Sequence, residues 1–509
     1  MDSLQGTLDS IGSFVWGPFL LIPLLLGTGL YLTIRLGFIQ LIRLGAALRL
    51  GLLRRADDTH EGDISQFQAL TTALAATVGT GNIVGVATAI GIGGPGALFW
   101  MWVTGLLGMA SKYSEAFLGV RFRTTDEAGE MSVGPQYYLQ KGICGSLGKV
   151  LALSFAVFAF LASFGIGNMT QGNSIALNVE RTMQLDPWIT GLVLTVATLI
   201  VLVGGIRSIG RVTAGLVPIM IVLYVLGALY ILVANVGEIP TALAVVFTDA
   251  FTGTAAVGGF TGSVLIIAIQ YGVARGIFSN ESGMGSAAIA AAAAQTTHPV
   301  RQGLVSMTQT FIDTIIVVTC TGLVLVITGV WEQGSDAAAT MTGDAFSQGL
   351  PGDWGHWIVT LGLVLFAYST ILGWSYYGER NVERLFGQRA VMPYRVVFSL
   401  VVYVGATVPL TIVWSFSDIM NGLMALPNLI GLLILSGLIV RETRHYLSHD
   451  PRLVATAGEI EAFMQDRPDW HDWQTGNEVG SSRTHTGRHP KHSTHAERYH
   501  DHPGNPFDD

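Results

Sequence analysis

Charge is scarce in this chain. Only 12% of its 509 residues are Asp, Glu, Lys or Arg, against about 25% in soluble globular proteins. That excludes the usual division of such a length into two or three water-soluble domains. Cysteine is nearly absent. Cys144 and Cys320 are the two present, and neither sits in a CxxC or other metal spacing, so no disulfide framework or thiolate metal site is expected and both read as small core residues. The apolar stretches hold essentially no histidine, no HExxH and no paired aspartates, which argues against an intramembrane enzyme. No GxxxxGK[ST] string marks an ATP site. The formal charge of −8, placed mostly in loops and the C-terminal region, gives no reason to expect nucleic-acid binding.

What the chain has is hydrophobic length. Half of its residues are hydrophobic and its mean hydropathy is +0.51. About ten apolar stretches reach the roughly 20 residues that cross a bilayer. The expected class is an all-α polytopic membrane protein with eleven spans, at 13–35, 66–94, 97–120, 147–174, 187–204, 212–234, 262–294, 304–329, 355–377, 395–414 and 417–440. The N-terminal MDSLQGTLDSIGSF has no basic region and no small-residue cleavage site, so the first span is expected to stay as an anchor. Residues 38–55, with Arg43, Arg49, Arg54 and Arg55, suggest an amphipathic helix on the membrane surface.

Basic residues follow the odd-numbered spans: Arg35 to Arg55, then Arg121, Arg123 and Lys141, then Arg207 and Arg211, then His298 and Arg301, then Arg380 to Arg395, then Arg441 and Arg444. The loops after even-numbered spans are acidic or neutral, with Glu238, Asp249, Glu332, Asp336, Asp344 and Asp353. The positive-inside rule then places the N-terminus outside and the C-terminus in the cytoplasm of a plasma-membrane protein. Residues 445–509 are polar and lack periodicity, which suggests a disordered cytoplasmic tail. Seven of the twelve histidines fall within 471–502. Such a run suits metal ions or simply a solvated, biased tail.

Two spans carry residues that a continuous membrane helix does not favour. Span two has Gly79, Thr80, Gly81 and Asn82 near its middle. Span seven has four glycines between Gly272 and Gly285, with Arg275, Ser279, Asn280 and Glu281 among them. Glycine within a helix costs about 1 kcal/mol relative to alanine, and charge at membrane depth usually faces a cavity. Close helix packing accounts for Gly91 to Gly96 and Ala287 to Ala294. It does not account for Arg275, Asn280, Glu281, Thr80 or Asn82. Both helices are therefore expected to unwind, freeing carbonyls for a cation and amides for a carboxylate. The breaks lie five spans apart. This predicts two five-helix units of opposite topology, 61–235 and 236–444, after a leading segment 1–60, with the site between the broken helices at the bilayer midplane.

The segments TTALAATVGTGNIVGVATAIGIGGPGALFWMW (71–102), SFGIGNMTQGNS (163–174), GVARGIFSNESGMGSA (272–287) and FAYSTILGWSYYGER (366–380) resemble the alanine/glycine:cation symporter family, and the likeness runs from about residue 15 to 445. The resemblance implies a LeuT-like 5+5 inverted repeat and uptake of a small neutral amino acid with Na+ as coupling ion by alternating access, with no organic cofactor. For the substrate carboxylate, the expected residues are Thr77, Gly79, Thr80, Gly81 and Asn82, where freed amides suit an anion. For the ammonium they are carbonyls near Gly272 to Gly276, with Gln270 and Gln171 by analogy. The resemblance adds Phe164, Asn168 and Trp374 as pocket lining, although ordinary packing also accounts for the two aromatics. It also implies Ser369 and Thr370 as sodium ligands opposite carbonyls near Ala76 and Gly79; the two hydroxyls could instead bond their own helix. Arg275, Asn280 and Glu281 read as a gate or structural group, with Arg275 and Glu281 pairing once the helix unwinds. Lys112 and Glu115, three residues apart, read as a solvated or interfacial pair. Asp313 suits a buried partner for a positive group, and proton coupling through Asp313 or Glu281 is the rival to sodium.

Overall fold

The computed structural model describes residues 2–17, 19–53, 62–126, 129–252, 261–334, 337–352, 354–408 and 411–465. Apart from a short ladder of Thr124–Thr125 with Met131–Ser132, the regular elements among these residues are helical. Six helical stretches are long and apolar enough to cross a membrane: Gly145–Met183, Gly205–Ala234, Pro299–Thr328, Trp354–Phe386, Gln388–Thr407 and Ser415–His449. A seventh candidate is a bent pair, Gln66–Thr77 with Gly81–Gly93, whose halves meet at 51°.

The outward faces of these helices are apolar. On Pro187–Val203, Leu192, Val193, Val196 and Ile200 are exposed. On Gly205–Ala234, Ile219, Val222, Leu226 and Val233 are exposed, while Met220, Tyr224, Ala228 and Ile231 are buried on the opposite side. A helix that shows hydrocarbon outward and packs inward suits a lipid surround and would be a large apolar patch in water.

Local sequence sets several helix starts. Ser65 and Gln68 form a capping box at Gln66–Thr77: the Ser65 hydroxyl accepts from the Gln68 amide at 3.2 Å, and the Gln68 side chain accepts from the Ser65 amide at 3.0 Å. The buried Asp249, from the helix Ile239–Thr252, accepts from the Gly96 amide at 2.7 Å. A carboxylate at the start of the 26-residue helix Gly96–Arg121 satisfies a free donor and complements the helix dipole.

The basic residues expected on one side of the membrane meet at one end of the molecule. Arg121 pairs with Glu442 at 3.2 Å and Arg301 with Asp450 at 3.1 Å. Arg380 reaches Glu379, Glu383, Glu130 and Asp126 at 2.8–3.4 Å. Arg395 shares Glu379 at 2.6 Å. Arg43 donates to the Pro451 carbonyl, and Arg49 to that of Arg452.

Several expectations change. The first span is not one helix over 13–35. Helix Asp2–Val15 precedes helix Leu21–Arg35, and the indole of Trp16 between them donates to the Asp418 carbonyl at 2.9 Å. The 38–55 segment, described to Leu53, packs Ala47, Leu50 and Gly51 inward, and Gly51 lies against Leu70 and Val305. Residues 445–465 are helical in large part: the helix from Thr411 continues to His449, and Ala457–Gln465 follows. Tyr446 and Asp450 hold Arg301, so this part is docked. The histidine run lies outside the described residues. Cys320 is buried as expected, whereas Cys144 is exposed.

Glu379 is 1% exposed between two guanidinium groups. Glu379→Ala leaves Arg395 without its carboxylate, and removing one partner of a buried ion pair costs about 3–5 kcal/mol. Thermal unfolding in detergent should show a large drop in Tm for this variant, and an unchanged Tm would contradict the pairing.

Candidate functional site

The first break falls where the sequence places it. Helix Gln66–Thr77 ends, Val78 leaves helical geometry at φ −75°, ψ 88°, and the chain resumes as helix from Gly81. The freed groups are held internally. The Gly79 amide donates to the Asn82 side-chain oxygen at 3.0 Å, and the Thr80 amide points to the Gln171 side-chain oxygen at 3.5 Å. Gly79 is required sterically, since a Cβ there would lie 2.4 Å from the Thr370 hydroxyl.

The second break falls at the C-terminal end of the expected stretch from Gly272 to Gly285. Helix Thr261–Asn280 runs unbroken through Gly272 and Gly276. These two glycines serve close packing: a Cβ on Gly272 would meet the Ala97 carbonyl at 2.5 Å, and one on Gly276 the Thr104 hydroxyl at 2.4 Å. The interruption spans residues 281–286, with positive φ at Glu281 (55°), Gly283 (87°) and Gly285 (84°), before helix Ala287–Ala292. Carbonyls near Gly272 to Gly276 therefore stay within a helix.

Helix 299–328 joins the two breaks. Gln309 donates to the Thr77 hydroxyl at 2.8 Å and to the Asn280 carbonyl at 3.2 Å, and so bridges the ends of both first half-helices. One turn on, the fully buried Asp313 accepts from Asn82 at 2.8 Å, Ser279 at 3.0 Å and Thr314 at 2.8 Å. Among the described ion pairs Asp313 has no cation; amide and hydroxyl donors hold it. Asn82 thus works behind the break rather than in the cavity. Gln309 carries no charge or unusual pattern, and only its spacing of four from Asp313 on one helix face could have signalled it.

A small cavity of about 10 Å³ lies between the breaks, room for about one water molecule. Thr77, Gly79, Thr80 and Gly81 line it from the first break and Glu281 from the second, with Gln171, Thr370 and Trp374 among the other walls. Ile166, Phe278 and Asn421 also line it and were not foreseen. The Thr80 hydroxyl and the Asn421 side-chain oxygen are buried here without a protein partner. Trp374 approaches so closely that a Cβ on Gly167 would lie 2.3 Å from its Cβ.

Phe164 and Asn168 do not line this cavity. Phe164 packs edge-on or tilted against Phe160, Tyr394 and Phe398, with ring centroids 5.4–5.8 Å apart, and Asn168 donates to the Phe398 carbonyl at 2.7 Å. A π-helical stretch, Gly165–Met169, turns Ile166 and Gln171 inward instead. Gln270 and Arg275 line a separate, larger cavity with Trp16, Tyr271, Ser415 and Asp418. Phe278 borders both spaces. Arg275 pairs with Asp418 at 3.7 Å, not with Glu281. Glu281 accepts from the Trp374 indole at 2.7 Å and the Ser286 hydroxyl at 2.6 Å. Asn280 donates to Thr314 at 3.0 Å.

Beside the first break, oxygens converge. The Ser369 and Thr370 hydroxyls lie 3.2 and 3.0 Å from the Ala75 carbonyl. They lie 2.8 and 3.1 Å from the Phe366 carbonyl of their own helix. The backbone oxygen brought to the hydroxyls is thus that of Ala75. Ala76 is packed against Gly373, and Gly79 contributes its closeness to Thr370. Lys112 and Glu115 are not a solvated or interfacial pair: both are fully buried, 4.0 Å apart, and they face the second break. The neighbours of their helix, not their spacing along it, decide their burial.

The profile of the sodium:alanine symporter family matches residues 1–456. The chain is 54% identical to the sodium/alanine symporter AgcS of Methanococcus maripaludis over 442 residues, which cover 86% of this chain and 96% of that one. It is 51% identical to an uncharacterized transporter of Haemophilus influenzae, over 87% of this chain and 96% of that one. Among solved structures, MhsT in complex with L-phenylalanine superposes with a TM-score of 0.56 at 15% identity, covering 82% of this chain and 96% of that one, which shows a shared fold. By its sequence, its broken helices and its apolar outer faces, this membrane protein belongs to the sodium:alanine symporter family.

Proposed function

We propose that the protein imports a small neutral amino acid, alanine or glycine, together with sodium by alternating access. The observation that carries this reading is the small cavity between two broken helices, in which the Thr80 hydroxyl and the Asn421 oxygen lack protein partners. The substrate carboxylate sits at the Gly79–Gly81 backbone and the Thr80 hydroxyl, at the start of the half-helix Gly81–Gly93, where the dipole favours an anion. The ammonium faces the side-chain oxygens of Gln171 and Asn421. Trp374 closes the side-chain end, so larger amino acids clash. Sodium binds the oxygens of Ala75, Phe366, Ser369 and Thr370, hard donors of the kind it requires. A charge crossing 100 mV gains about 2.3 kcal/mol, which drives accumulation of a net-neutral substrate.

Around this site we place eleven spans, with 61–235 and 236–444 as inverted five-helix repeats after the leading 1–60. The N-terminus lies outside and the 445–509 segment in the cytoplasm of the plasma membrane. The clustering of the Arg-rich ends supports that orientation. Arg275, with Asp418, guards the outer cavity.

Coupling to protons is the second reading, because the carboxylates of Glu281 and Asp313 are buried beside the breaks. Uptake of labelled alanine into proteoliposomes separates the two. An inward sodium gradient should drive accumulation without a pH gradient; accumulation by the pH gradient alone would overturn sodium coupling. Ser369→Ala and Thr370→Ala should each raise the sodium concentration for half-maximal uptake by about tenfold, from the loss of one charge-assisted bond. An unchanged sodium dependence in both would displace the ion site. Gly79→Ala should lower alanine uptake by about tenfold or more, since overpacking costs about 1–3 kcal/mol. Wild-type uptake by that variant would remove the first break from the site.

A further inference from the structure

A buried carboxylate that lines a cavity, yet spends its oxygens on protein donors, calls for a reason. One oxygen of Glu281 accepts the Trp374 indole N–H at 2.7 Å, and the other accepts from Ser286 at 2.6 Å. Its backbone is fixed as firmly. Glu281 holds φ 55°, a left-handed conformation that non-glycine residues adopt at a cost. The Lys112 ammonium takes its carbonyl at 3.0 Å. Glu115 takes the Gly285 amide at 2.9 Å, and Asn428 takes the Gly283 carbonyl at 2.8 Å while also donating to Glu115 at 2.7 Å. Lys112, Glu115 and Asn428 therefore satisfy three backbone groups that the interruption at 281–286 sets free. All three are buried to within 1% of full cover. The indole they indirectly serve packs directly on Gly167, which has room for it only because it has no side chain.

We infer that Glu281 is a specificity-determining residue: its carboxylate tethers the Trp374 indole at one angle, and Lys112, Glu115 and Asn428 fix the backbone from which it does so. The tether makes the pocket's far wall rigid. Without it, the ring is free to turn about its side-chain torsions and the space widens for larger amino acids. The inference rests on the reading of Trp374 as that wall. It assigns Glu281 to the ring rather than to the substrate's charge.

The test measures the uptake of L-leucine relative to L-alanine, as the ratio of kcat/KM, in proteoliposomes driven by a sodium gradient. A ratio is insensitive to how much transporter folds. Trp374→Ala should raise it about tenfold or more. Glu281→Ala, which removes the acceptor, and Trp374→Phe, which removes the donor and keeps a ring, should each raise it in the same direction. Their combination should add little to either one alone, as two breaks of one bond must. Glu281→Gln keeps an oxygen for the indole and should retain the wild-type ratio. If Trp374→Ala widens the profile while Glu281→Ala and Trp374→Phe do not, the tether is refuted and the pocket stands. If none of the three changes the ratio, both fall. If Glu281→Gln abolishes alanine uptake itself, the carboxylate acts on the substrate's charge, and the inference is overturned.

Discussion

An unwound helix inside a bilayer has no water to turn to, and the structure is organised around that constraint. Every amide and carbonyl released at residues 78–80 and 281–286 must find a partner in the protein or in what the protein carries. Asn82, Gln309 and Asp313 serve the first interruption, and Lys112, Glu115 and Asn428 the second. Within the cavity, the Thr80 hydroxyl and the Asn421 side-chain oxygen are left unmet, and a zwitterion can meet them.

The helix 299–328 has a special place in that scheme. Its Gln309 and Asp313 face both broken helices at once. A shift of either break alone would strand a buried carboxylate or an amide, each costly without a partner. The two halves of the site are thereby held as one unit, and the small cavity between them keeps a defined size.

Much of this was legible from residue types at membrane depth. Gly79-Thr80-Gly81-Asn82 has no good reason to stand within an apolar run except to interrupt it, and the first break falls there. Glycine was a poorer guide in the other helix. Gly272 and Gly276 follow the same compositional rule yet lie in a continuous helix, because what they relieve is the approach of Ala97 and Thr104, partners remote in sequence. The turn happens at Glu281–Ser286, where Gly283 and Gly285 take positive φ and Lys112 and Glu115 meet the freed backbone groups. Lys112 and Glu115 show the same blind spot: spacing of three along one helix describes a solvated pair and a buried clamp equally well. Ile166 lies in a π-helical stretch and Asn421 in a long helix, and only the fold brings the two to the site. The Ala75 carbonyl, in place of that of Ala76, is a matter of one step in helical phase.

The two sides of the cavity are unequal in thickness. Toward Gln270, Arg275 and Asp418, one aromatic ring, Phe278, belongs to both spaces. Toward the opposite end stand the clamped turn at 281–286 and, farther along, the ion pairs of Arg121, Arg301 and Arg380. A ring changes rotamer on its own, whereas a clamp of buried charges yields only when helices part. One wall of the cavity is thus a single ring thick, and the other is a turn clamped by buried polar groups.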